Sequence, residues 1–201
     1  MYKISNSIRN GNSLQVRSPL YLVILSTTLL FTGCKKYTSE PKSEDQILSN
    51  RNTNEQELLT FYKGLDKQTL FELQQVRAAT ARYRNVNNAF ADNYVDIGLK
   101  LPNMGYHFLK AGLVTPVFDI KQPPILVYNK NEDGNFELLA VEYAVPIDPQ
   151  TPNVPPAGFS GDDDQWDFNT LNTGWWTLHA WVWKNNPDGA FNPMNPLVEV
   201  R

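Results

Sequence analysis

The fold class of this chain is decided by residues 175–184, which read Trp175-Trp-Thr-Leu-His-Ala-Trp-Val-Trp-Lys184. Side chains on a β-strand point alternately to opposite faces. One face then carries Trp175, Thr177, His179, Trp181 and Trp183, and the other carries Trp176, Leu178, Ala180 and Val182. Because both faces are apolar, the pattern predicts a central strand in which His179 is at least partly buried. A buried imidazole needs a hydrogen-bond partner or a metal ion.

Three other segments also have strand character. Alternation of apolar and polar residues, or a short apolar run, predicts strands at Val95–Leu101, Ile125–Tyr128 and Phe136–Val145. The sequence Asn131-Glu-Asp-Gly134 separates the last two strands and predicts a turn, since Asp-Gly supplies positive φ. We therefore expect these two strands to form a hairpin.

Helical patterns precede the strands. A short helix is predicted at residues 54–63, where Asn54 can act as the N-cap and Glu57 can complete a capping box. A longer helix is predicted from about Thr69 to Phe90, with Asp66 as its candidate cap, because a stripe of mostly apolar residues recurs every three or four positions.

The second half of the chain does not favour helices. Twelve of the fourteen prolines lie between Pro102 and Pro196, and proline breaks helix interiors. Residues 146–173 are rich in Pro, Gly and Asp and are predicted to form a long loop. Helices followed by antiparallel strands indicate an α+β fold, with one long helix and a mainly antiparallel sheet of about four or more strands.

Composition excludes several classes of protein. The 201 residues carry a net charge of −3, which argues against a nucleic-acid binder with a basic face. A single cysteine excludes an internal disulfide, an iron–sulfur cluster and a cysteine-rich zinc site. The phosphate-binding, dinucleotide-binding, HExxH and CxxC motifs are all missing.

The amino-terminal segment has the layout of an export signal. Residues 1–33 hold three basic side chains and no acid, and residues 20–31 form an apolar run that precedes Thr32-Gly33-Cys34. A run of about 12 residues is too short to cross a bilayer, which takes about 20. A basic leader, followed by a short apolar run and then by small residues, is typical of a secretory signal. With Cys34 directly after Gly33, the segment resembles a bacterial lipoprotein signal.

The resemblance implies that residues 1–33 are removed and that Cys34 carries fatty acyl chains, palmitate among them. Residues 34–53 would be the lipidated cysteine and a flexible tether, and residues 54–201 a single α+β domain. The protein would be anchored in a membrane of the cell envelope. Lys35 after the cysteine implies, by analogy, the outer membrane. The alternatives are a plain secretory signal with an incidental thiol and an anchor that is never cleaved.

The predicted strand Phe136–Val145 offers a polar partner for His179. Its residue Glu142 is a carboxylate on an otherwise apolar face, and a carboxylate is costly to bury alone. His107 is the other histidine of the chain, and the three residues match the two-histidine, one-carboxylate set that binds several divalent metals. A Glu–His or Glu–Arg pair in the core is the structural alternative. A pocket without metal, lined by Trp and Tyr, is a further one.

Three more side chains complete the set of candidate ligand-binding residues, namely Trp181, Tyr106 and Arg82. A wider resemblance runs from about Ala78 to Pro196, which is similar to a family of small exported prokaryotic proteins without an assigned activity. It is carried by Ala79-Thr-Ala-Arg-Tyr-Arg84, Met104-Gly-Tyr-His-Phe108, Ala140-Val-Glu-Tyr143, Leu178-His-Ala-Trp-Val-Trp183 and Asn186-Pro-Asp-Gly189. This resemblance implies one distinctive domain and no particular mechanism.

These observations favour a lipid-anchored domain of the cell envelope that binds a small ligand or a divalent metal ion. One alternative is a metal-dependent enzyme that uses the same two histidines and glutamate. The other is a structural or interaction protein without a pocket. A small ligand or an envelope protein is the expected partner besides the membrane, and no nucleic acid is expected.

Overall fold

The computed structural model describes residues 56–58 and 60–200 of the chain. The predicted signal, Cys34 and the predicted tether lie outside the described residues. Within them, no helix is both long and apolar enough to cross a bilayer.

The helices lie at the start of the described chain. Residues 56–58 and 60–61 are helical and fall within the short helix predicted at 54–63. Helix α1 spans Lys67–Thr80, and the carboxylate of Asp66 caps it by accepting from two backbone N–H groups, as predicted. A 3-10 turn, Ala81–Arg84, and helix α2, Val86–Ala91, follow.

The single long helix predicted to run to Phe90 is thus wrong in its second half. Asn85 interrupts it with extended backbone (φ −91°, ψ 108°), and its side chain accepts from the backbone N–H of Asn87 to cap α2. Asparagine is a favoured N-cap residue because its short side chain competes with the helix for backbone donors. The apolar stripe continues across this break and does not reveal it.

Six strands form one antiparallel sheet in the order β1-β2-β3-β4-β6-β5, so the α+β prediction is confirmed. Their bounds are β1 Val95–Leu101, β2 Gly105–Leu109, β3 Ile125–Lys130, β4 Phe136–Pro146, β5 Asp167–Phe168 and β6 Trp175–Ala180. The hairpin between β3 and β4 turns where predicted, at Asn131–Gly134, and Gly134 has a φ of +78°.

Three details of the sheet differ from the sequence prediction. Strands β2 and β5 were not predicted. Strand β6 ends at Ala180 and not at Lys184, because the chain turns there: the N–H of Val182 donates to the carbonyl of Ala180, and the N–H of Trp181 donates to Ala190.

The two faces of the sheet have different surroundings. Antiparallel register places Phe108, Leu126, Tyr128, Val141, Tyr143 and Leu178 on one face, the helical face. Phe90 of α2 packs on Phe108, and the hydroxyl of Tyr128 donates to the carbonyl of Tyr83 in the 3-10 turn. The opposite face, the histidine face, carries His107, Val127, Ala140, Glu142, Thr177 and His179, and all six are buried.

Strand β2 lies very close to β3 at its first residue. Gly105 has a φ of +115°, and a Cβ placed there would stand 2.3 Å from the backbone oxygen of Tyr128. Only glycine fits such a backbone conformation and approach without strain. Gly105 therefore sets how β2 enters the sheet, two residues before His107.

Candidate metal centre

The strand register brings the three predicted ligands to one place. Glu142 of β4 and His179 of β6 are direct partners on adjacent strands. His107 of β2 is the partner of Val127 on β3, so one strand separates it from Glu142. The backbones of β2 and β4 are two strand spacings of about 4.8 Å apart, and the side chains of His107 and Glu142 together span that distance.

The polar atoms of the three side chains converge. His107 Nε2 is 3.6 Å from Glu142 Oε2, and His179 Nδ1 is 3.9 Å from Glu142 Oε1. One ligating atom from each residue lies within 4.8 Å of the others. These separations exceed hydrogen-bonding distance. The three groups therefore face a common point without bonding to one another.

Burial makes this arrangement costly. The exposed fractions are 1% for His107, 6% for Glu142 and 2% for His179. Within the described part of the chain, neither ring nitrogen of His179 has a hydrogen-bond partner. A buried polar group without a partner costs about 1–3 kcal/mol, and such groups in a native protein call for a ligand, a water or an ion.

The ring of His107 is oriented by the edge strand. Its Nδ1 is 3.2 Å from the carbonyl oxygen of Leu99, and a carbonyl only accepts, so Nδ1 carries the proton and donates. Leu99 lies in the register shift of β1 between Asp96 and Lys100. The Nε2 lone pair of His107 consequently faces Glu142. Metal-binding histidines commonly have this outer hydrogen bond to a backbone carbonyl.

The protonation of the three groups follows from their burial. Burial raises the pKa of Glu142 to about 8; the hydroxyl of Thr177 opposes this rise and the charge of Asp167 adds to it. Burial lowers the pKa of His107, and burial together with His107 lowers the pKa of His179 to about 3. The distances alone suggest His–Glu ion pairs, but desolvation favours the neutral forms at neutral pH.

The other predicted site residues divide into two groups. Trp181 stacks on His179, with ring centroids 6.1 Å apart and planes 16° apart, and its indole N–H donates to the carbonyl of Asn192. Tyr106 lies on the helical face with its ring edge against Phe136. The guanidinium of Arg82 is exposed, 3.1 Å from the carboxylate of Asp92.

The structure thus brings Trp181 to the cluster and places Tyr106 and Arg82 elsewhere. Two residues of the surroundings were not singled out from the sequence. Thr177 is buried, with its hydroxyl 3.1 Å from that of Thr170, and its position two residues before His179 already put it on the same face. Asp167 belongs to the two-residue strand β5, which is too short to show a pattern.

Comparisons with known proteins return no protein-family model, no curated protein and no solved structure that matches this chain. The similarity to small exported proteins therefore stays a prediction. Function has to be inferred from the side chains of the centre.

Proposed function

We propose that this domain holds one first-row divalent transition-metal ion through His107, Glu142 and His179, and that a lipidated Cys34 anchors it in the cell envelope. The observation that carries the metal proposal is the orientation of the polar atoms. The carboxylate of Glu142, the Nε2 lone pair of His107 and the unpartnered Nδ1 of His179 converge, and no hydrogen bond joins them. A cation would bond to one atom of each of the three side chains at once.

The kind of metal follows from the ligand types. Imidazole with carboxylate suits zinc, iron and their neighbours, whereas calcium and magnesium prefer oxygen ligands alone. Zinc bonds of about 2.0–2.2 Å leave two ligand atoms roughly 3–4 Å apart. The separations of 3.6 and 3.9 Å fall in that range. A group spanning up to 4.8 Å has to contract slightly, by about 1 Å at most, to surround an ion.

Burial favours a retained ion over catalysis. A catalytic metal keeps a coordination position open for water or substrate. Here each proposed ligand is at least nine-tenths buried, and Trp181 covers the ring of His179. We therefore favour a stabilising or storage role for the ion over the metal-dependent enzyme.

The structural alternative, a polar cluster without metal, has one observation in its favour. Desolvation makes Glu142 and both histidines neutral together, so the side chains can be buried without an ion. The unpartnered Nδ1 of His179, which faces Glu142 Oε1, weighs against it, because such a cluster gains stability only when every member is satisfied.

Metal analysis separates these two functions. Full-length protein, purified in detergent and stripped with a chelator, is titrated with Zn²⁺ and assayed by elemental analysis after gel filtration. We expect about one ion per chain, and we expect Glu142→Gln and His107→Ala to lose it. Glu137→Gln is the matched control, because Glu137 lies on the same strand but is exposed. Wild-type protein that retains no Zn²⁺, or an equal loss in the control, contradicts the proposal.

A further inference from the structure

A second carboxylate lies on the histidine face, at the edge of the sheet. Asp167 in β5 is the register partner of Thr177 in β6, and Thr177 is two residues from His179. Asp167 is therefore on the same face as Glu142 and is half-buried. Among residues 56–58 and 60–200, its carboxylate has neither a hydrogen bond nor an ion pair.

The net charge of the metal-loaded centre, which rests on the proposed function, gives the carboxylate of Asp167 a role. A divalent ion held by Glu142 and two neutral imidazoles leaves one net positive charge in a buried place. An uncompensated buried charge is strongly unfavourable. One further negative charge nearby balances this positive charge. The charge of Asp167 is close enough to contribute to the raised pKa of Glu142.

Asp167 acts from outside the first coordination shell. Two strand spacings of about 4.8 Å separate β5 from β4, and aspartate is a short side chain. The ligating group within 4.8 Å consists of His107, Glu142 and His179. Asp96, which acts on His107 from the other side, is exposed and already accepts from the N–H of Gly98, so solvent screens it more strongly.

We infer that Asp167 is the outer carboxylate that neutralises the loaded metal centre. It attracts the divalent ion through charge, at a distance, and not by a direct bond. Its removal weakens metal binding while the three ligands stay in place.

The test is a Zn²⁺ affinity measurement on the full-length protein by competition with a chromophoric chelator. At low salt, Asp167→Asn is expected to bind Zn²⁺ roughly three- to tenfold more weakly than wild type, a loss that shrinks as KCl is added. Asp167→Glu, which keeps the charge, is expected to bind like wild type. Asp163→Asn is the matched control, because Asp163 is an exposed acid four residues away.

The outcomes are distinguishable. Wild-type affinity in Asp167→Asn overturns this inference and leaves the metal site intact, and so does an equal loss in Asp163→Asn. A loss that is unchanged by KCl also overturns it, since that result indicates altered structure or a direct bond. Wild-type protein that binds no Zn²⁺ overturns the proposed function itself.

Discussion

Glu142 and His179 face each other across two neighbouring antiparallel strands, with Oε1 and Nδ1 3.9 Å apart and both side chains buried. The pairing depends on register, because a slip of one residue would turn one side chain to the helical face. The pair is held too far apart for a hydrogen bond. Glu142 and His179 thus lie close together without a hydrogen bond, unlike an ordinary hydrogen-bonded pair of polar side chains in a protein core.

The first prediction concerns the stability of chelator-treated protein at alkaline pH. The pKa of Glu142 is raised from its ordinary 4.5 to about 8 in the folded state. At this carboxyl the folded state then binds more protons than the unfolded state between these values. Below about 6.5 the lowered pKa of His179 opposes this effect, so the free energy of unfolding is expected to fall as pH rises from about 6.5 to 8. Urea unfolding at a series of pH values measures this, and Glu142→Gln should flatten the profile.

Excess Zn²⁺ should reverse that alkaline loss, because ion binding needs the ionised carboxylate and stabilises the folded state by mass action. The control Glu137→Gln should follow wild type with and without Zn²⁺. A chelator-treated protein whose stability does not decline toward pH 8 would show that Glu142 is ionised in the fold.

The second prediction concerns the acid side of the same profile. The pKa of His179 is lowered from 6.5 to about 3, so the unfolded chain binds the proton first as pH falls. Between 6.5 and 4.5 the protonation of Glu142 offsets this loss, so the free energy of unfolding should fall as pH drops from about 4.5 toward 3. Replacing His179 by Leu, a side chain of similar volume, should reduce this acid loss.

The same substitution, His179→Leu, should leave the metal-free protein at least as stable as wild type, with a gain of about 1–3 kcal/mol from removing two unpartnered nitrogens. It should also abolish Zn²⁺ retention. Urea unfolding with chelator present measures the first effect. A marked destabilisation would mean that the nitrogens have partners in solution, which favours the structural alternative.

The third prediction concerns Gly105. A Cβ at this position would approach the backbone oxygen of Tyr128 at 2.3 Å, and its φ is +115°. Gly105→Ala should therefore lower the free energy of unfolding by about 1–3 kcal/mol from backbone strain, with a further loss from the clash. Because His107 lies two residues on, Zn²⁺ affinity should fall as well. Gly112→Ala, with nothing within 4 Å, is the control and should behave like wild type.

The fourth prediction concerns location. Several acyl chains at about 0.8 kcal/mol per buried CH₂ hold a protein firmly on a membrane. Cys34→Ala should release the protein from the membrane fraction into the soluble envelope fraction, as detected by fractionation and immunoblotting. Ser26→Ala, in the same predicted signal, is the control and should remain membrane-bound. Retention of Cys34→Ala in the membrane would contradict lipidation.

Much of the sheet could be predicted because its long strands show a period of two. Alternation in β4 and β6 is enough to put Glu142 and His179 on inward faces. It cannot give their register, which depends on the lengths of the intervening turns and loops. The convergence of His107 with them depends on β3 lying between β2 and β4. Glu142 is 35 residues from His107 and 37 residues from His179, and no local sequence motif predicts this strand order.

Three other features could not be predicted because the sequence around each of them shows no pattern that marks it. Strand β2 begins at a glycine with positive φ and is five residues long, so its pattern is brief. Strand β5 has two residues and exists only through pairing with β6. The break at Asn85 is a capping event within a continuous apolar stripe. In each case a tertiary or capping contact outweighs local periodicity.

The neutrality of the three buried side chains has a consequence for biogenesis. Zinc fingers need their metal in order to fold, because their ligands have no stable arrangement without it. Here a protonated Glu142 and two uncharged imidazoles let the β-sheet close around them first. On the proposed function, the chain can thus fold before it encounters an ion, and acquisition of the ion becomes a late step that releases a proton.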